Sequence, residues 1–451
     1  MRKMRRDTSI KFWAAIIICV VIGTSFVSVS ASINTTSQEK ISVSNGQKTT
    51  FRDRLFHLKI LFLMKLAKFP SLSACIINGD SIIWSNSYGC YDLENKKPAT
   101  ESTIYNVAHI SCSVTGTALM QLYDQGLFDL DEDVNIYLPF TLRNPNFPDD
   151  PITFRMLLSQ TSSLRDDIPI NKRFGRSIAY DWINIAGDPP FSFFPMPWLE
   201  DYLTPNGDAY DPKLWSSTYK PGEYSWYAHL NFAVIAYLVE HISGEVFVDY
   251  CKNHIFKPLE MCNTSFNLSE LDSDQVAIPY HYYKSQQAYL HINELSIDGS
   301  IHPSLYWRIL NYPAGGLYST VSDLSHFLIA HVNDGVYKGV HILNSKTIEE
   351  MHQIQPPGNF NAMIAAYYGL AWLFKVHPLF FNITLMGHYG LNLGVASIMY
   401  HIPTEDIRVI FMTNGDGLEG NTMAINLIEI SLFVKGGVNL LSYIDFRNIG
   451  G

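Results

Sequence analysis

Charge is scarce in this sequence. Charged side chains make up 16% of its 451 residues, against roughly a quarter in an average soluble domain. Acidic residues outnumber basic ones by 42 to 32, for a formal net charge of −10. No basic run occurs beyond the extreme N-terminus. Binding to nucleic acid needs clustered cations to neutralise phosphates, so no such partner is expected. Internal repeats are missing, which speaks against a solenoid. No Gly-x-Gly-x-x-Gly follows a strand, so Gly315-Gly316 reads as a tight turn and not as a phosphate cradle. What the chain has instead is apolar mass, 47% of residues, with 13% aromatic. Such a composition excludes general disorder and supports a large core.

The amino end carries Arg2, Lys3, Arg5, Arg6 and Lys11, and Phe12–Gln38 contains no charge. Phe12–Val27 is strongly apolar, with the small residues Val29 and Ala31 after it. Residues 1–31 therefore read as a signal peptide or an uncleaved signal anchor, with the remainder exported and a membrane contact through this segment. Residues 32–50, rich in Ser, Thr, Asn and Gln, read as a flexible tether. Of six cysteines, Cys19 lies in the apolar segment. Cys251 with Cys262 is the first candidate disulfide and Cys75 with Cys90 the second, leaving Cys112 unpaired.

Residues 51–69 have a helical period, with Leu55, Leu58, Phe62 and Leu66 on one face. An apolar strand at Ser73–Ile77, a turn at Asn78-Gly79-Asp80 and a strand at Ser81–Ser85 form a hairpin. A helix starts near Ser111 and ends at Gly126. Asn231–Gly244 is helical, Ser397–Tyr400 and Val409–Met412 are strand-like, and a closing helix covers Met423–Val434. Between them, residues 164–220 read as an elaborated loop region. This order predicts an α/β (α+β) protein, with an antiparallel sheet flanked by helices and completed by both chain ends. A helical subdomain, roughly residues 103–300, is inserted.

An ordered series of segments carries a resemblance. It includes Gly89–Leu93, Thr117–Leu138, Leu157-Leu158-Ser159-Gln160-Thr161-Ser162-Ser163-Leu164 and Pro221-Gly222. Pro258-Leu259-Glu260-Met261, Pro313-Ala314-Gly315-Gly316-Leu317, Tyr368-Gly369-Leu370, Gly387-His388-Tyr389-Gly390 and Thr413-Asn414-Gly415 follow. Together they resemble the serine β-lactamase and penicillin-binding protein family, in its class C and esterase-like branch. The resemblance implies the β-lactamase/transpeptidase-like fold over residues 51–451. It also implies three motifs around one cleft: Ser-x-x-Lys at a helix start, Tyr-x-Asn, and Lys- or His-x-Gly on a strand.

Carried over residue by residue, the nucleophile position falls on His109 and the lysine position on Cys112. The second motif falls on Tyr227-Ala228-His229 and the third on His388-Tyr389-Gly390. Tyr227, His388 and Gly390 are thus kept, while serine, lysine and asparagine are not. Neither Ser111 nor Ser113 has a lysine three residues on. The resemblance therefore leaves His109, Cys112, Tyr227 and His388 at the family's catalytic positions without its acylation chemistry.

Three readings stay open. One is a pseudoenzyme with a small-molecule or cell-envelope ligand and no cofactor. A second is a zinc site, since His109, Cys112, His229 and His388 make a tetrahedral donor set. The third is hydrolysis of esters, amides or lactams by a repurposed Cys–His pair. Gln160 and Ser163 are expected to matter only for a turn.

Overall fold

The computed structural model describes residues 50–165, 198–208, 210–283, 288–291, 311–361, 366–376, 383–416 and 422–438. Readings that concern residues 1–49, and most of those in the aromatic-rich region before Trp198, lie outside the described residues. Helix α1, Phe51–Ala67, belongs almost wholly to a separate unit that ends at Leu66. The rest of the chain forms the second unit.

In that unit an eight-stranded antiparallel sheet is built from early and late parts of the sequence. Its strands are β1 (Ser71–Asn78), β2 (Ser81–Asp92), β3 (Lys97–Pro98), β4 (Ala366–Tyr368), β5 (Leu373–Val376), β6 (Thr384–Asn392), β7 (Val395–His401) and β8 (Ile407–Thr413). Across the sheet the order is β4-β5-β6-β7-β8-β1-β2-β3. The early hairpin and the late strands meet at β1 and β8, where Cys75 faces Ile410. The hairpin turns at Gly79, which takes a left-handed φ of +55°. The two strands reach farther than their apolar runs, because pairing continues through Ser85–Gly89 with polar residues on the open face.

β1, β7 and β8 are buried nearly throughout. Continuous apolar runs, not alternation, are the mark of strands covered on both faces. Helix α2 (Ser111–Asp124), α3 (Leu230–Ser243) and α4 (Val321–Val332) come from the long excursion between β3 and β4. Gly126 and Gly244, at φ +71° and +73°, end α2 and α3 in left-handed caps. α2 packs on α3, and the core about them includes Phe154, Phe232, Phe327 and Trp372. Helix α5, Thr422–Gly436, packs on β1 and β8. Among the described residues no single helix is long and apolar enough to cross a membrane.

The cysteine pairing differs from the expectation. Among the described residues Cys75, Cys90, Cys112, Cys251 and Cys262 form no disulfide. Cys251 ends a short helix inside the core and is fully buried, whereas Cys262 is exposed. The two sulfurs belong to different environments, so their closeness in sequence brings no bond.

Candidate active site

The floor of the site is set by the entry to α2. A short 3-10 turn, Ala108–Ile110, leads into the helix. Ala108 is held at φ +45°, a left-handed conformation that costs an alanine about 1–2 kcal/mol. Its N–H donates to Asn106 Oδ1 at 2.9 Å, and the N–H of Val107 donates to Leu317 O at 2.9 Å. These bonds hold the strained turn and put His109 at the helix start. The next serine is turned away from the cleft. Ser111 Oγ donates to Ala108 O at 2.6 Å and accepts from the Leu317 N–H at 3.1 Å, wholly buried.

β6 runs beside this turn. A Cβ on Gly390 would lie 2.2 Å from Val107 O and 2.9 Å from Ala108 Cβ, so only glycine permits this approach. Two residues earlier stands His388, 1% exposed. Its Nδ1–H donates to Tyr389 O at 2.8 Å, which makes Nε2 the lone-pair nitrogen. That Nε2 is buried with no hydrogen-bond partner among the described residues.

The third wall precedes α3. Tyr227 and His229 are held by Gln160, itself at φ +63°. The Trp226 N–H donates to Gln160 O at 2.8 Å, and the Ala228 N–H to Gln160 Oε1 at 2.9 Å. Asn231 Nδ2 donates to the same Oε1 at 2.6 Å, and Ser162 Oγ donates to Asn231 Oδ1 at 2.6 Å. Gln160 is therefore a brace for the Tyr-Ala-His segment as well as a turn residue. Its neighbours Ser159, Thr161, Ser162 and Ser163 are polar too, so no local signal marked this role in the sequence. Gln160→Ala removes an acceptor shared by two buried donors and is expected to cost about 2 kcal/mol in urea denaturation. A midpoint within error of the wild type would show that water replaces the amide.

The three elements bring rings together. His109 Nε2 and His229 Nε2 are 2.9 Å apart, so one imidazole donates and the other accepts. The Tyr227 ring lies 5.7 Å from His109 and 4.7 Å from His229 by centroids, edge-on to both. Burial pushes the pKa of His109 well below its usual value, with smaller contributions from His229 and His388. Burial likewise holds His388 down, to about 4, although the Tyr389 carbonyl works the other way. His109 and His388 are neutral at pH 7, because a cation there would lose water and face further imidazoles.

Cys112 meets this group at Tyr227. It lies one turn deeper and fully buried; its Sγ–H donates to Ala314 O at 3.4 Å, and Tyr227 OH stands 4.0 Å away. An S–H donor suits that carbonyl better than a thiolate does. The four-ligand zinc set is not shown. Among the described residues, no three His, Cys, Asp or Glu side chains gather in an arrangement fit for a metal. A cysteine carries its sulfur several bonds closer to the helix than a lysine carries its nitrogen.

The beta-lactamase family model matches residues 62–430. The chain belongs to the beta-lactamase family. Protein flp of Staphylococcus aureus strain N315 is 23% identical over 264 residues, 58% of this chain and 46% of that protein. The chain thus spans under half the length of such relatives. Among solved structures, the octameric penicillin-binding protein homologue from Pyrococcus abyssi superposes with a TM-score of 0.66 at 23% identity. That match covers 88% of this chain and 80% of the homologue. D-amino acid amidase from Ochrobactrum anthropi SV3 gives a TM-score of 0.63 at 20% identity, covering 84% and 99%. At these identities the likeness speaks for the fold. The family's mixed architecture, a large antiparallel sheet flanked by helices, is the one expected from the order of segments.

Proposed function

We propose that this chain is an exported member of the family whose acyl-transfer centre is lost. On this reading the cleft is a binding site for a small molecule or a cell-envelope component. The observation that carries the reading is the 2.9 Å contact between His109 and His229. In the family register these positions belong to the nucleophile and to the amide of the second motif. A hydroxyl nucleophile needs a base beside it. Here the reacting position holds an imidazole engaged with another, and the base position holds a buried thiol donating to a carbonyl.

The residues that remain are suited to recognition. Neutral His388 offers a buried Nε2 lone pair, and leaving such an acceptor unmatched costs about 1–3 kcal/mol. A ligand presenting an N–H or O–H recovers that cost. Residues 1–31, whether removed or retained, supply the route of export, and residues 32–50 supply the tether.

The test is intact-mass analysis after incubation with a fluorescent penicillin, a chromogenic cephalosporin and nitrophenyl esters. No acyl adduct and no turnover above background are expected for the wild type and for Cys112→Ser. A stoichiometric adduct, or turnover abolished by His109→Ala, would overturn the loss of chemistry. For binding, soluble peptidoglycan fragments serve as probes in thermal-shift measurements. A raised midpoint in the wild type and not in His388→Ala supports the reading; no shift with any fragment refutes an envelope ligand.

A further inference from the structure

Helix α1 carries an exposed apolar stripe. Phe51, Leu55, Leu58, Phe62 and Leu66 are all exposed, Phe51 at 71% and Phe62 at 64%. At 100° per residue the five fall within about 80° of the helix circumference. The periodicity of the sequence marked four of them as one face. The structure shows that this face is not buried. Cations border it: Lys59 on one flank, Arg54 and Lys65 on the other, with Arg52 beyond Lys59. Arg52, Arg54 and Lys65 are exposed. Burial lowers Lys59 to about 8, which still leaves it mostly charged at pH 7. The helix thus carries four cations against the single carboxylate of Asp53, in a chain whose net charge is −10.

We infer that α1 lies on an anionic lipid surface, with Leu58 and Phe62 at the centre of its buried stripe. An exposed apolar face flanked by Lys and Arg is the pattern of an in-plane interfacial helix, whose cations reach up to the headgroups. The chain upstream favours this occupant over a protein partner. The inference draws on the membrane route of the proposed function. The apolar run Phe12–Val27 leads to residues 32–50, a tether that can extend no farther than ~70 Å. Whatever holds residues 12–27 in a bilayer therefore keeps α1 beside it.

The experiment uses the full chain, reconstituted in vesicles, with a protease site inserted after Asn45. Carbonate extraction of the uncut chain reports on the N-terminal anchor alone. Cutting the tether and floating the vesicles then reports on α1 alone, so the two readings fail separately. The cut body is expected to stay with phosphatidylcholine vesicles containing phosphatidylglycerol and to leave pure phosphatidylcholine, with partition differing by at least about tenfold. Leu58→Glu/Phe62→Glu should abolish retention, and Arg54→Gln/Lys65→Gln should weaken it about tenfold or more. These side chains are exposed, so circular dichroism and melting should match the wild type. Equal retention on both lipids, release from both, or retention by the double glutamate variant would overturn the inference. So would a released body that is dimeric in the wild type and monomeric in that variant, since the stripe would then join two copies.

Discussion

Gly390→Ala loses about 3 kcal/mol of stability, because the new methyl has nowhere to go. Its Cβ would sit 2.2 Å from Val107 O, 2.5 Å from Ser397 Oγ and 2.9 Å from Ala108 Cβ. Val107 O is fixed twice over. It accepts from Ser397 Oγ at 2.8 Å, and the N–H of the same residue is bonded to Leu317 O. Relief requires moving β6 away from the strained turn, which carries His388 away from His109. Gly126→Ala is the control. Its added Cβ meets nothing within 4 Å, but φ is +71°, so only the backbone cost of about 1–2 kcal/mol remains. Urea denaturation of both variants checks the order. Equal losses would mean that β6 and the turn separate without cost.

Acid weakens the protein between pH 6.5 and about 4. His388 and His401 are held down to about 4 and His331 to about 3, while His109 and His352 lie well below the usual value. Burial is the largest cause in each. For His401, Arg408 adds to it; for His352, the neighbouring His331 and His401 do. A histidine with a depressed folded pKa is neutral in the folded state while the unfolded chain takes up the proton. Stability is then fully present above pH 6.5, falls as pH drops towards the folded pKa, and levels off below it.

Carboxyls oppose this trend. Glu240 is raised to about 7, and Asp323 and Glu429 are raised as well, chiefly by burial. They hold protons that the unfolded chain releases above about pH 4.5. His326 is lowered too, chiefly by burial, so the lowered histidines outnumber the raised carboxyls. Near pH 5 the unfolded chain therefore binds more protons than the folded one, and stability falls as pH falls. The measurement is the urea midpoint from pH 8 to 4.5, with His331→Gln as partner. His331 Nε2 lies 2.9 Å from Thr117 Oγ1, far from any proposed ligand, and its removal should flatten the slope by about one proton. A flat profile from pH 7 to 5 in the wild type would refute the count.

Much of the architecture was legible before any coordinates. Asn78-Gly79-Asp80 between apolar runs marks the hairpin, Gly126 and Gly244 mark two helix ends, and the segment order fixes a sheet closed by both termini. These are local signals, carried by turn chemistry and periodicity over a few residues. On the register we propose, His109 and Cys112 stand where the family carries a serine and a lysine.

Tertiary structure decided what those residues do. That His109 and His229 share a hydrogen bond depends on the placement of two helix starts 120 residues apart in sequence. That the Cys112 thiol meets the Ala314 carbonyl depends on chain 202 residues away in sequence. The exposure of the α1 stripe could not be read from period, since a helix with apolar residues on more than one side has no single face to bury. Spacing tells which residues share a face, and only the packed chain settles what that face meets, because burial is a property of all the neighbours at once.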